Sequence, residues 1–256
     1  MELTIWGILI LSLIVLIAGF IDSIAGGGGL LTVPAYLFLG IPPQETLGTN
    51  KLVSCMGTAA AVGNFIKNKK VVFKIILAGA LFSVIGSIFG AEAILFFNQD
   101  TAGRIITLML PLGLVAILIP RRNKTTDNPS FTKADIYIKT PLICFIMGFY
   151  DGFFGPGAGS FLAIGFYLFV KLDLIKATGN AKIFNLASNF GSLVAFMFAG
   201  KVVYSIALPL IASSMIGNYL GSVAAIKNGA GFIKVFLCSV LIMVFISLSV
   251  KYFYFK

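Results

Sequence analysis

The sequence predicts an all-α polytopic membrane protein built from two inverted repeats. About eight full transmembrane helices and two short half-helices or re-entrant segments are expected, ten membrane segments in all. Three observations carry this. The 256 residues are 59% hydrophobic and only 11% charged, with a mean hydropathy of +1.02, whereas a soluble domain carries about 25% charged residues. Apolar stretches follow one another along the whole chain. Two of them share one interruption: Gly19-Phe20-Ile21-Asp22 leading into Gly26-Gly27-Gly28-Gly29, and Gly148-Phe149-Tyr150-Asp151 leading into Gly155-Pro156-Gly157-Ala158-Gly159. Irregular backbone at membrane depth is tolerated only where protein or a water-filled cavity surrounds it. A matched pair of such breaks, one per half, is the best sequence pointer to a transporter's binding site.

The apolar segments run over about 5–23, 29–40, 52–66, 71–97 and 104–120, then 141–154, 159–170, 183–199, 203–226 and 232–254. Segment 5–23 follows Glu2, without the basic leader of a signal peptide, and reads as a retained first membrane segment. About 20 residues span a bilayer as a helix, so 29–40 and 159–170 are too short to cross alone, and each directly follows a glycine break. Pro111 and Pro209 are expected to kink their helices. The polar stretch from Arg121 to Lys139 divides the chain into a first membrane repeat, 1–120, a cytoplasmic linker, 121–140, and a second membrane repeat, 141–256.

The halves share a register. Asp22, Gly26 and Gly28 match Asp151, Gly155 and Gly157. After a two-residue shift, Gly48 and Lys51 match Gly179 and Lys182, Lys70-Val71-Val72 matches Lys201-Val202-Val203, and Gly86 and Gly90 match Gly217 and Gly221. Internal duplication of this kind is typical of secondary transporters. Charge placement orients it. With both termini outside and each segment reversing the chain, Lys67, Lys69, Lys70, Lys74, Arg121, Arg122, Lys124, Lys133, Lys139, Lys171, Lys176, Lys227 and Lys234 fall inside, most of the 19 basic residues, as the positive-inside rule requires. Five reversals per half make the second repeat enter from the opposite side.

The same composition excludes other classes. The net charge of +10 comes without basic clusters interleaved with exposed aromatics, so nucleic acid is not an expected partner. The chain has no His, the commonest metal ligand and general base. Cys55, Cys144 and Cys238 are isolated in apolar stretches with no CxxC spacing. No metal site, cofactor, disulfide or catalytic residue is expected. No Walker-type phosphate loop occurs, so ATP is not the direct energy source. The run Gly155–Gly159 is no dinucleotide fingerprint, because no βαβ unit surrounds it.

The breaks carry the expected chemistry. A helix start leaves backbone N–H groups free and bears about half a positive charge, and glycine lets a ligand approach those groups closely. Gly26, Gly27, Gly28 and Gly29 precede one half-helix, and Gly155, Gly157 and Gly159 the other, so each is a candidate anion seat. Thr49-Asn50-Lys51 and Thr178-Gly179-Asn180-Ala181-Lys182 open the following segments with hydroxyl, amide and ammonium donors suited to an oxyanion; interfacial snorkelling by the lysines is the plainer role. Asn185 and Asn189 lie deeper in the same segment, and Asn64 near the end of its counterpart. An Asp at the centre of a membrane helix costs roughly 2.5–3.5 kcal/mol on insertion scales. Asp22 and Asp151 are therefore either proton-coupling groups or structural partners of Lys51 and Lys182. Glu92 has no acidic counterpart.

At these residues the chain resembles the TauE/SafE family, sulfite-exporter-like membrane permeases. The carriers are Gly19 through Gly29 with Pro34 and Gly48-Thr49-Asn50-Lys51 in the first half. In the second they are Gly148 through Gly159, and Ala177 through Lys182 with Asn185. The resemblance covers nearly the whole chain. It implies a multi-pass protein of the bacterial inner membrane that moves small sulfur-containing anions such as sulfite, sulfonates, sulfoacetate or thiosulfate. The expected partners are that anion, membrane lipid and protons as a coupling ion. An anion channel is the alternative, and an intramembrane aspartyl enzyme a further one, disfavoured by the glycines after each Asp. The topology makes one prediction: single cysteines at Asn68 and Asn98 react with a membrane-impermeant thiol reagent from opposite faces of the membrane, and labelling of both from one face sinks the five-reversal reading.

Overall fold

The computed structural model describes residues 5–118 and 131–228. Among them the chain is helical, with no strand. Helices α1 (Ile5–Ala25), α2 (Gly29–Phe38), α3 (Pro43–Lys67), α4 (Phe73–Leu95) and α5 (Gln99–Leu118) make the first half. The second half holds α6 (Thr140–Phe153), entered through a π-helical turn at Asp135–Lys139, then α7 (Ala158–Phe169), α8 (Leu174–Phe198) and α9 (Tyr204–Asn228).

Local sequence sets the boundaries. Pro43 opens α3, where a missing N–H costs nothing. The Asp173 side chain caps α8 by accepting from the Lys176 N–H at 2.9 Å. Thr132 and Asp135 form a reciprocal capping pair before α6: the Asp135 carboxylate accepts from the Thr132 N–H and the Thr132 hydroxyl from the Asp135 N–H. Left-handed residues close several turns in matched places: Gly40 and Lys171, Lys69 and Gly200, Gly26 and Gly155.

Four of the described helices are long and apolar enough to cross a membrane: α1, α4, α8 and α9. The expectation of about eight full spans is therefore met only in part, and the tenth segment, 232–254, lies outside the described residues. Helix α3 has the length, 25 residues, but not the apolarity. It buries Thr46, Thr49, Asn50 and Lys51 against other helices, and a helix enclosed by protein need not be apolar all round. Helices α2 and α7, with 10 and 12 residues, are as short as expected, about 15–18 Å at 1.5 Å per residue. Pro111 and Pro209 lie within α5 and α9. The outward faces of α1, α4, α6 and α9 expose Trp6, Leu13, Leu77, Leu81, Ile146 and Leu208, a surface suited to lipid and unsuited to water.

The main helix pairs cross between halves. Helix α1 packs along α9, and α4 along α6. Both seams are glycine-lined. A Cβ on Gly90 of α4 would lie 2.1 Å from the Phe149 carbonyl oxygen of α6, and one on Gly152 would lie 2.0 Å from that of Ser87. Gly217 and Gly221 of α9 bear in the same way on Leu16 and Phe20 of α1. Lipid tails are as apolar as leucine, so helices in a membrane associate through close packing and polar links, for which small residues four apart are suited. The contacts are also reciprocal. Gly48 abuts the Lys201 carbonyl and Gly179 abuts that of Lys70; Val203 N–H donates to Thr49 Oγ1 and Val72 N–H to Asn180 Oδ1.

This seam yields a prediction. Gly90→Ala forces α4 from α6 and lowers the thermal midpoint of the purified protein in detergent, by overpacking of about 1–3 kcal/mol. Gly63→Ala, on an open stretch of α3 with nothing within 4 Å of the added Cβ, leaves the midpoint unchanged or raises it, since alanine is the better helix former by about 1 kcal/mol.

Candidate functional site

The two glycine breaks meet in the interior. Gly26 lies flat on the start of α7: a Cβ there would stand 2.5 Å from the Ser160 nitrogen, and the Ser160 hydroxyl donates to the Gly26 carbonyl at 2.5 Å. Gly29 faces Pro156, whose carbonyl accepts from the Tyr150 hydroxyl at 2.9 Å. The left-handed backbone at Gly26, Gly155 and Gly157 turns the chain into each half-helix. Gly27 supplies the carbonyl that accepts from the Leu30 N–H in the first turn.

Each aspartate is answered by a lysine of the other half. Lys51 Nζ on α3 donates to Asp151 Oδ1 at 2.7 Å, with both side chains 2% exposed, and to Asn189 Oδ1 at 3.2 Å. The other Asp151 oxygen accepts from Asn185 Nδ2 at 3.1 Å and from the Ser188 hydroxyl. Gly155 admits this lysine; a Cβ there would lie 3.1 Å from its nitrogen. In the reciprocal pair, Lys182 Nζ on α8 donates to Asp22 Oδ2 at 2.5 Å, the lysine 2% and the aspartate 19% exposed. Gly159 flanks this lysine as Gly155 flanks Lys51. Asp22 Oδ1 accepts from the Gly28 N–H at 3.1 Å, so the protein's own carboxylate occupies the start of α2.

The lysines are thus not interfacial, and the snorkelling role is corrected. Helices α3 and α8 begin well before them, at Pro43 and Leu174, which carries Lys51 and Lys182 into the interior. Asn50 joins the Asp22 side, its Oδ1 accepting from the Thr32 hydroxyl at 2.6 Å. Thr49 and Asn180 face elsewhere and tie down the turns that lead into α9 and α4. Asn64 holds Ser222 of α9 at 3.0 Å, and Glu92 is exposed. Ser188, Ser160 and Thr32 were missed as candidates. Ser188 had a readable signal: like Asn185 and Asn189, it is a polar side chain within two turns of Lys182 in an apolar stretch. Among the described residues no His, Cys, Asp or Glu cluster could hold a metal.

The two pairs differ in what their loss costs. Removing one partner of a buried pair leaves an uncompensated charge, at about 3–5 kcal/mol. Lys51→Met is expected to lower the thermal midpoint in detergent more than Lys182→Met, because Asp151 is sealed and Asp22 is partly open. The combined variant Lys51→Met, Asp151→Leu should recover much of the loss; an unchanged midpoint in Lys51→Met, or no recovery in the combined variant, removes the pair from the structure's support.

Comparison with known proteins gives the family. The profile of the family described as "Sulfite exporter TauE/SafE" matches residues 11–248. The "Probable membrane transporter protein ORF9" of Sinorhizobium is 37% identical over 237 residues, 92% of this chain and 88% of its own length. The "Probable membrane transporter protein YfcA" of Escherichia coli K12 is 34% identical over 226 residues, 88% of this chain and 83% of its own. The "Probable membrane transporter protein YdhB" of Bacillus subtilis is 26% identical over 218 residues. No solved structure matches. A multi-pass helical chain with paired glycine breaks, matched by this profile over nearly its whole length, belongs to the TauE/SafE family of membrane transporters.

Proposed function

We propose that the protein is a proton-coupled secondary transporter of small anions, sulfur-containing and of the sulfite, sulfonate, sulfoacetate or thiosulfate type, in the cytoplasmic membrane. The observation that carries the reading is the seat of Asp22. One oxygen rests on the backbone N–H of Gly28 at the start of a half-helix, and the other on the Lys182 ammonium. These are the two kinds of donor that an oxyanion uses, and the aspartate stands in for one. Protonating Asp22 removes its charge and leaves an ammonium that is 2% exposed without its counter-ion. A substrate oxyanion supplies that charge, so proton and anion enter together. Asp151 and Lys51 repeat the ion pair from the other half, with Asn185 and Ser188 in place of the backbone N–H.

The family's description as sulfite exporters supports the substrate class. The reciprocal contacts between halves support two inverted repeats related by an axis in the membrane plane, over 1–120 and 141–256 with the linker inside. Rocking of one repeat against the other about a fixed central site would then give alternating access. Asp22 and Asp151 are each held by a lysine and not by one another, which disfavours an aspartyl enzyme.

The test is flux of labelled sulfite, thiosulfate, sulfoacetate and sulfate in proteoliposomes, with and without a pH gradient. At least one sulfur anion is expected to show saturable, gradient-stimulated flux and counterflow. Asp22→Asn and Asp151→Asn should each lose the stimulation where the aspartate replaced is one that carries the proton. Gradient-stimulated flux that survives both changes removes the proton role, and flux without saturation or counterflow favours a channel.

A further inference from the structure

The two pairs occupy equivalent positions but are finished differently. Counting from Lys182, the residues three, six and seven further on are Asn185, Ser188 and Asn189; counting from Lys51, they are Ser54, Gly57 and Thr58. In the second half all three reach the ion pair. Asn185 and Ser188 donate to Asp151, and Asn189 accepts from Lys51. In the first half the counterparts are too short. Beside Asp22 there is instead a cavity of about 20 Å³, bordered by Asp22, Thr32, Asn50, Ser54, Thr58 and Asn218 among others. A second, independent feature marks the same spot. Thr58 is 1% exposed, and its hydroxyl finds no hydrogen-bond partner. A buried hydroxyl left unmade costs about 1–3 kcal/mol, so its persistence beside a polar cavity points to a guest.

The charges around the cavity choose the guest. A metal cation would sit beside the Lys182 ammonium, and a free anion beside the Asp22 carboxylate. A neutral molecule that both donates and accepts suits both. A single water needs about 10–15 Å³ of such space and two to four polar partners, and hydroxyls, amides and a carboxylate are all present. We infer that the first half holds a bound water at Thr58 and Ser54, in contact with Asp22, and that this water is the proton route to Asp22. Asp151, closed in by Lys51, Asn185 and Ser188, has no such route. The water site stands on geometry alone, and its use in coupling rests on the transport reading above. It makes Asp22 the coupling aspartate and Asp151 the strut.

The experiment is infrared difference spectroscopy of the purified protein in lipid vesicles after a pH jump, without any anion substrate, in ordinary and ¹⁸O-labelled water. Wild type and Asp151→Asn are expected to show a bound-water O–H band that shifts with the label, and a carboxyl band that is absent from Asp22→Asn. Thr58→Val, and Ser54→Asn with Thr58→Asn, should lose the water band and slow the deuterium exchange of the Asp22 carboxyl severalfold; Thr58→Ser, which keeps the hydroxyl, should retain both. A water band that persists in Thr58→Val, or one that vanishes in Asp151→Asn, overturns the site. A water band lost in Thr58→Val with carboxyl exchange unchanged overturns the proton route. An intact water band in a protein that moves no anion counts against the transport reading and leaves the water site standing.

Discussion

Two lysine ammonium groups lie almost wholly out of contact with solvent, and each is answered by an aspartate from the opposite half of the chain. An unpaired buried charge costs several kcal/mol, and neither half contains the partner its own lysine uses. Lys51 depends on Asp151, and Lys182 on Asp22. The halves are therefore completed by one another at their centre, and the surrounding features follow from this requirement. Gly155 and Gly159 lack side chains where the lysines approach. Asp22 and Asp151 lie in the last turns of α1 and α6, just before the breaks.

The packing around this centre follows the same physics. Where lipid provides no hydrophobic drive between helices, close approach and polar links decide which pairs form. Glycines bring the backbones together at the α1–α9 and α4–α6 seams, and side-chain hydrogen bonds bridge α1 to α9, as in Ser23 to Asn218 at 2.9 Å, and α4 to α8, as in Ser83 to the Phe184 carbonyl at 2.7 Å. Both seams join a helix of one half to a helix of the other, and Asp22 and Asp151 lie on α1 and α6, one helix of each seam.

Duplication leaves two copies of one arrangement that need not do one job. In the second copy, Asn185, Ser188 and Asn189 spend their polar atoms on the ion pair, and a fully satisfied network of this kind rigidifies its surroundings. In the first, shorter side chains and Gly57 leave Asp22 partly open and joined to a polar cavity. One aspartate is thereby enclosed by side-chain donors, and the other borders open space.

Much of this was legible in the chain itself. Apolar composition settles the membrane and the helices, because a bilayer accepts little else. The paired Gly-rich runs mark both breaks, and the repeat register names Asp22, Asp151, Lys51 and Lys182 as the charges that matter. Short helices after each break follow from the length of the apolar runs. What the chain did not disclose is which aspartate meets which lysine, since pairing across some 100 to 160 residues is a property of the assembled bundle. For the same reason the chain did not show that Thr49 and Asn180 accept from the turns before α9 and α4, nor that Lys51 and Lys182, suited to an anion or to the interface, lie inside. A local motif reports the chemistry a residue can do. Only the packed helices decide what stands opposite it, and so whether Asp22 opens on a cavity while Asp151 is closed.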